Sequence, residues 1–286
     1  MESRAQFTTR EIDIRKFDAP IGAEILDVDL DEVDDDLFRS INDALLKHQV
    51  LVFRDQSFSE AGQLAISNRW GQIRSHVMKR GTPSERPELL VLTNLDAQGK
   101  PKGTHPDPGS APWHTDGSWT TRPSIISMLY ALEIPPTGGD TLFADMYGAY
   151  ESLALEMKTR IAHLKAFHDL DYARILGGAR EHLSDEQLKA APAVEHPIVQ
   201  KHPETGRPVI YLGEYGRDIL GLQEDEGRAL IRDINSHATQ DQFVFRHRWR
   251  HHDVVVWDNR CTLHRVTDFD FANDRRIMRR STVTSP

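Results

Sequence analysis

Apolar residues recur along the first quarter of the chain with two different spacings. Between residues 34 and 47, Leu37, Ile41 and Leu45 repeat every four positions, and acidic residues stand at the start of the segment. This pattern predicts an amphipathic helix whose first turn carries the charge that a helix N-terminus prefers. The next run, 50–53, is wholly apolar and predicts a short buried strand.

The same patterns extend to the end of the chain and predict many short strands with a few helices. Further strands are predicted at 7–14, 21–28, 89–92, 125–132, 141–143, 253–258 and 275–283, with a hairpin at 195–211 that turns at 202–206. Further helices are predicted from the N-cap Ser59 to about Trp70, at 147–163 and at 223–237. We therefore expect a mainly β fold with flanking helices and a double-stranded β-helix, or jelly-roll, core.

Composition restricts the organisation and the partners of the chain. It has 286 residues, 38% hydrophobic content and no Pro/Gly/Ser-rich linker, so we expect one domain over residues 1–286. The net charge of −9 argues against nucleic acid and anionic membranes as partners. No signal peptide or apolar run long enough for a membrane span is visible, and the single Cys261 has no disulfide partner, so a cytoplasmic protein is expected.

One residue separates His114 from Asp116, and the pair comes before the apolar run 125–132. In an extended segment residues two apart face the same side, so an imidazole and a carboxylate would stand together. They are two of the three ligands of the facial triad that leaves open positions on non-haem Fe(II). His264, expected in a loop just after the strand 253–258, is the candidate third ligand. The alternative is that His114 and His264 are ordinary core histidines.

Two arginines near the C-terminus point to anionic ligands. If 275–283 is a strand, Arg276 and Arg280 share one face and lie about 13 Å apart, at roughly 3.3 Å per residue. A buried guanidinium without a counter-charge is costly, so two inward-facing arginines require two anions. The alternative is a solvated strand face paired with some of the 44 acidic residues.

A polar stretch, 96–112, precedes His114 and is rich in Gly, Pro, Asp and Ser. A long polar segment beside candidate metal ligands suits a mobile active-site lid, and a plain surface loop is the alternative. Three aromatic residues are candidates for lining a pocket for an aryl group: Trp119, Tyr211 and Tyr215.

Several motifs together resemble the taurine/2,4-dichlorophenoxyacetate dioxygenase (TauD/TfdA) family of Fe(II)- and 2-oxoglutarate-dependent oxygenases. In chain order they are 22–25 (GAEI), 54–56 (RDQ), 113–116 (WHTD), 138–141 (GGDT), 257–260 (WDNR) with His264, and Arg276 with Arg280. The resemblance covers nearly the whole chain and agrees with the fold expected from the pattern.

The resemblance implies a role for each matching residue. His114, Asp116 and His264 would bind iron, whereas Thr141 and Arg276 would hold the distal carboxylate of 2-oxoglutarate. For Thr141 the alternative is an ordinary β-branched strand residue. Related halogenases replace the iron-binding carboxylate with a small residue, so the presence of Asp116 favours hydroxylation.

The resemblance also implies how the primary substrate is bound. Arg280 would hold its anionic group, and His76 falls where the taurine enzyme has a substrate-contacting histidine, although the surrounding segment departs from that enzyme. The implied partners are a small organic anion and other copies of the chain, because members of the family are often dimers or tetramers.

The implied reaction uses Fe(II), 2-oxoglutarate and O2. It hydroxylates a sulfonate, sulfate ester, aryloxyalkanoate or similar acid, with succinate and CO2 as co-products. Two alternatives remain open at this point: a non-redox jelly-roll metal enzyme that uses the same triad, and a non-catalytic acid-binding module.

Overall fold

A computed structural model of the chain describes residues 10–57, 59–75, 86–105 and 107–284. The predicted substrate residue His76 and the start of the predicted strand 7–14 lie outside these residues. Strands outnumber helices among the described residues, and the architecture is the expected mainly β fold with flanking helices. Within the described part, none of the helices has the length and apolar character needed to cross a bilayer.

The larger sheet has seven strands. They are β1 (Ile14–Lys16), β2 (Ala23–Ile25), β3 (Val50–Phe53), β4 (Leu90–Thr93), β5 (Ser124–Glu133), β13 (Val254–Asp258) and β15 (Ile277–Thr284), in the spatial order β1-β2-β3-β13-β5-β15-β4. Neighbours are antiparallel except for β2 and β3, which run parallel. Strand β3 is apolar along its length and β13 is apolar up to its last residue, Asp258, because both faces of these strands are buried.

A second sheet of three strands faces the first: β12 (Val244–His247), β6 (Thr141–Asp145) and β14 (Thr262–Val266), in that order. Phe143 and Phe245 of this sheet pack in one core cluster with Val52, Val255 and Trp257 of the larger sheet. The two sheets thus form the sandwich of a jelly roll, with open edges rather than a closed barrel.

The helices cover the outer faces. Helices α1 (Asp35–His48) and α2 (Glu60–Ser67) pack on the larger sheet, while α3 (Met146–Ser152), α4 (Leu155–Ile161) and α7 (Glu224–Ala238) pack beside the smaller one. Asp34 and Ser59 cap α1 and α2 by accepting hydrogen bonds from backbone N–H groups of the first turn. The remaining elements are α5 (Leu170–Leu176), α6 (Asp185–Ala190), β7 (Lys165–His168), β8 (Val194–Pro197), β9 (Val199–Lys201), β10 (Pro208–Ile210) and β11 (Gly216–Ile219).

Some predicted boundaries are wrong. The predicted helix 147–163 is two helices, because Leu153 and Ala154 adopt extended backbone angles between α3 and α4. The predicted hairpin is confirmed only in its inner part, where β9 pairs with β10, because β8 pairs with β7 instead. The first strand begins only at Ile14, and α2 ends three residues before Trp70.

Candidate active site

Two of the predicted metal ligands meet where separate parts of the backbone pair. His114 and His264 form an isolated antiparallel bridge, with N–H to carbonyl distances of 3.0 and 2.7 Å. His264 lies inside β14, so the prediction that a loop carries it was wrong. Asp116 lies in a turn two residues after His114, which corrects the expectation of a continuous extended segment.

These three side chains form a compact group of donors. One possible ligand atom from each of His114, Asp116 and His264 lies within 4.8 Å of the others, and all three residues are buried. Nε2 of His264 is 3.9 Å from Oδ2 of Asp116, and the two imidazole centroids are 4.2 Å apart. Two nitrogens and one carboxylate oxygen at such spacings fit one divalent ion of the non-haem iron type.

The protonation states also suit metal binding. Burial lowers the pKa of both His114 and His264, so both imidazoles keep a lone pair at neutral pH. His114 donates from Nδ1 to the Pro112 carbonyl at 2.9 Å, which leaves Nε2 as its ligand atom. Although burial opposes ionisation of Asp116, Arg280 and the two histidines hold its pKa well below the ordinary range.

Asn259 forms hydrogen bonds that hold the segment carrying Asp116. Its Oδ1 accepts hydrogen bonds from the Asp116 N–H at 3.1 Å and from Nε1 of Trp257 at 2.9 Å. Its Nδ2 donates to the Ser127 hydroxyl at 2.9 Å, and that hydroxyl donates to Oδ2 of Asp116 at 2.6 Å. The Thr115 hydroxyl donates to the Asn259 carbonyl at 2.6 Å. One buried amide thereby fixes both the backbone and the carboxylate of Asp116.

A cavity of about 950 Å³ opens beside His114 and Asp116. Arg280 reaches into it and donates from Nη1 to Oδ1 of Asp116 at 2.8 Å. Of the three candidate aromatic residues, Trp119 and Tyr215 line this cavity, whereas Tyr211 is buried and is not part of the lining. Further lining residues come from two helices that the sequence did not predict, and they include Leu170, Arg174, Glu186, Gln187 and Ala190.

Arg276 and Thr141 lie outside the lining of this cavity. Arg276 immediately precedes β15, is 4% exposed, and has a buried Nε without a hydrogen-bond partner among the described residues. Burial lowers the pKa of Arg276 to about 10, although the charge of Asp140 opposes this shift. Thr141, at the start of β6, accepts a hydrogen bond from Nε1 of Trp249 at 3.0 Å. A buried guanidinium with an unused donor fits the carboxylate that the resemblance assigns to it.

The polar stretch 96–112 reaches the cavity through Asp107, which precedes the short 3₁₀ turn Pro108–Ser110, and through Gly109 inside that turn. Its mobility stays a prediction. Three residues that contact the site or line its cavity were missed in the sequence: Asn259, which was seen only as part of a motif, and Arg74 and Ser127, which carry no local signal. Arg74 lines the cavity close to Arg280 and Asp116.

A second buried group of possible ligands, His202, Asp258 and Cys261, lies at the turn between β13 and β14. Asp258 already accepts from Arg260 at 2.6 Å and lies 3.0 Å from Nε2 of His202. Because the carboxylate is neutralised by this arginine, the group stabilises the turn that leads to His264. The free thiol of Cys261 is buried among apolar side chains.

Comparisons with known proteins agree with this site. The family model described as taurine catabolism dioxygenase TauD, TfdA family matches residues 13–282. An α-ketoglutarate-dependent 2,4-dichlorophenoxyacetate dioxygenase of Cupriavidus pinatubonensis is 34% identical, over 91% of this chain and 94% of the relative. An alkylsulfatase of Acinetobacter baylyi is 32% identical, over 99% of this chain and 88% of the relative.

Solved structures show the same similarity in three dimensions. The crystal structure of AAD-2 in complex with Mn(II) and N-oxalylglycine superposes with a TM-score of 0.86 at 35% identity, over 96% of this chain and 98% of that one. A taurine dioxygenase from Burkholderia xenovorans superposes with a TM-score of 0.79 at 28% identity, over 97% and 90%. The chain therefore belongs to the TauD/TfdA family of dioxygenases.

Proposed function

We propose that His114, Asp116 and His264 hold the iron of a dioxygenase that hydroxylates a small organic anion, and that Arg280 binds the anionic group. The observation that carries this proposal is the buried triad of ligand atoms within 4.8 Å of one another, beside a cavity that Arg280 enters. The proposed active site lies in a single domain that spans the chain, and the family match over residues 13–282 supports this extent.

The reaction class follows from the family. The relatives are α-ketoglutarate-dependent dioxygenases that share 30–34% identity with most of the chain, so this protein is an Fe(II)- and 2-oxoglutarate-dependent dioxygenase. This favours the hydroxylase prediction over a non-redox metal enzyme and over a non-catalytic acid-binding module. When bound, iron and 2-oxoglutarate activate O2 for oxidation of a C–H bond, with succinate and CO2 as co-products.

The protein itself supplies position and charge. Ser127 and Asn259 fix the Asp116 carboxylate, and the pairing of β14 with residue 114 fixes the two imidazoles. Arg276 and Thr141 would hold the distal carboxylate of 2-oxoglutarate, because Arg276 is a buried cation whose Nε has no partner in the part of the chain that the structure describes. These groups are preorganised, so little reordering is needed when the ligands bind.

The cavity favours an organic anion with an apolar body. Four arginines contribute to its lining, namely Arg74, Arg122, Arg174 and Arg280, although the whole chain carries a net charge of −9. The lining also has apolar side chains, among them Trp119, Leu170 and Leu183. Arg280 would draw the anionic group inward and thereby select the carbon that is oxidised. If that carbon bears a sulfonate, sulfate ester or aryloxy oxygen, the hydroxylated product breaks down.

Anaerobic titration of the metal-free protein with Fe(II) and 2-oxoglutarate tests this assignment. A visible charge-transfer band from the chelate is expected in the wild type and is expected to disappear in His114→Ala, Asp116→Ala and His264→Ala. Substrate-dependent succinate formation should be lost in the same three variants. A normal band and full activity in any one of them would remove that residue from the proposed site.

The state of the protein in the cell is also a proposal. We expect a cytoplasmic homo-oligomer, a dimer or a tetramer, without nucleic-acid or membrane partners. The acidic net charge supports the last point. Light scattering coupled to size-exclusion chromatography measures the oligomeric state directly, and a monomer at micromolar concentration would refute that part.

A further inference from the structure

Arg74 lies beside Arg280 on the wall of the cavity. Ile73 forms an antiparallel bridge with Val283, and the Arg74 N–H donates to the Thr282 carbonyl at 2.8 Å. Arg280 and Thr282 are two residues apart on β15 and therefore share one face of the strand. Arg74, Arg280 and Thr282 all line the cavity.

The residue after Asp116 makes room for the Arg74 side chain. Gly117 has a φ of +67°, and a Cβ placed there would lie 2.7 Å from Nη1 of Arg74. The guanidinium therefore lies directly against the turn that carries the metal-binding carboxylate. Its Nη2 donates to the Thr120 hydroxyl at 3.0 Å and to the Arg122 carbonyl at 2.7 Å, and among the described residues it forms no ion pair.

Three unused polar atoms lie in the same part of the cavity wall. The hydroxyls of Ser124 and Thr282 and the Nε of Arg280 are buried and have no hydrogen-bond partner among the described residues. The Ser124 hydroxyl lies 2.6 Å from the same Cβ position on Gly117 that Arg74 approaches. Because buried donors are rarely left unpaired, this concentration of them points to a ligand with several acceptor oxygens.

We propose that Arg74, Ser124, Arg280 and Thr282 form one anion clamp, and that Arg74 makes the clamp selective for a tetrahedral oxyanion over a carboxylate. The inference rests on the proposed function, in which Arg280 binds the anionic group of the substrate. A carboxylate has two oxygens in one plane, which a single guanidinium can satisfy in a bidentate pair. A sulfonate or sulfate ester has three terminal oxygens in different directions and can accept from two guanidiniums and a hydroxyl together.

The electrostatics of the clamp agree with this proposal. Burial lowers the pKa of Arg74 and the nearby Arg280 lowers it further, while Asp116 opposes the shift. Asp116 is therefore close to both arginines, and it pairs with Arg280. A metal ion bound to Asp116 would neutralise part of the negative charge of this carboxylate. The positive charges of the two guanidiniums would then lack a full counter-charge, which an anion with more oxygens supplies better.

Binding of two small anions that differ only in the head group tests the clamp. Methanesulfonate and acetate are titrated anaerobically into protein loaded with Fe(II) and 2-oxoglutarate, and binding is followed by the change in the charge-transfer band. We expect the wild type to bind methanesulfonate about tenfold more tightly than acetate, since hydrogen bonds between charged groups have this order of effect. Arg74→Met should weaken methanesulfonate binding about tenfold and acetate binding less than about threefold.

Arg74→Lys and Arg69→Met are the controls. The lysine variant keeps the charge but loses the planar fork, so it should retain part of the preference. Arg69 pairs with Asp35 outside the lining of the cavity, and its replacement should leave the preference unchanged. If Arg74→Met weakens both anions equally, or neither, Arg74 only holds the turn 117–122 and the proposal is wrong.

A measurement without iron separates this inference from the proposed function. Inorganic sulfate should raise the Tm of the metal-free wild type, because binding to the folded state stabilises it, and should raise the Tm of Arg74→Met much less. An equal rise in both proteins would overturn the clamp. Failure of the charge-transfer band to form in the wild type would count against the metal site alone, since the sulfate experiment does not depend on it.

Discussion

Replacement of Asn259 by alanine should damage stability and iron binding together. The side chain is 1% exposed, and its Oδ1 accepts from the Asp116 N–H and from Nε1 of Trp257, and at 3.3 Å from the Thr115 hydroxyl. The Thr115 hydroxyl also donates to the Asn259 carbonyl, so the first two are the buried donors that the replacement leaves unpaired. Each donor left unpaired costs about 1–3 kcal/mol, so we expect the free energy of unfolding to fall by about 2–6 kcal/mol. The Ser127 hydroxyl also loses a partner and is then free to turn away from Asp116. Because Asp116, the proposed iron ligand, loses this support, Fe(II) should bind about 10–100-fold more weakly.

Urea unfolding and anaerobic Fe(II) titration measure the two effects separately. Gln63→Ala is the matched control, because Gln63 is also a fully buried amide and accepts from Nε of Arg279 at 2.7 Å while donating to the Arg279 carbonyl at 3.1 Å. Its bonds lie away from the metal ligands, so it should lose comparable stability and bind Fe(II) like the wild type. If Asn259→Ala loses stability but keeps wild-type Fe(II) affinity, the amide is a packing group and our reasoning about Asp116 fails.

Two other predictions concern the arginines and the pH dependence of stability. Arg276→Ala should raise the KM for 2-oxoglutarate at least about tenfold, whereas Arg280→Ala should raise the KM for the primary substrate. The reason is that each variant loses a charged hydrogen bond to a different acid. Identical effects of the two variants in steady-state assays would refute this division of roles. Burial, and then the charge of His196, lowers the pKa of His168 from 6.5 to about 3. The unfolded chain then binds a proton that the folded one does not, so stability should fall as pH drops from 6.5 toward 3, by up to about 1.4 kcal/mol per pH unit from this group. Urea unfolding of His168→Leu should show a correspondingly weaker pH dependence over that range, and an unchanged slope would show that His168 is protonated in the folded state.

The elements that were predicted correctly are those with local causes. Val50–Phe53 is a strand with the predicted bounds, because four consecutive apolar residues between two polar segments are buried most simply in an extended form. Helix α1 begins after the capping Asp34, as its spacing and its acidic first turn indicate. Helix α6 was missed because none of its residues is buried, so it has no apolar stripe for the pattern to reveal.

The metal ligands and their supporting residues differ in how far a sequence can reveal them. His114 and Asp116 were found because one short segment carries both, and His264 because it follows a buried strand. Their geometry depends on the pairing of residue 114 with β14, a contact between residues 150 positions apart that no local pattern specifies. The position of Arg74 depends on a second such contact, the bridge of Ile73 with Val283. The reaction class is thus visible in short motifs, whereas the positions of the residues that we propose to bind the substrate depend on strand pairing. A substrate-binding site inferred from the motifs alone would contain Arg280 but would lack Arg74, whose guanidinium lies beside it.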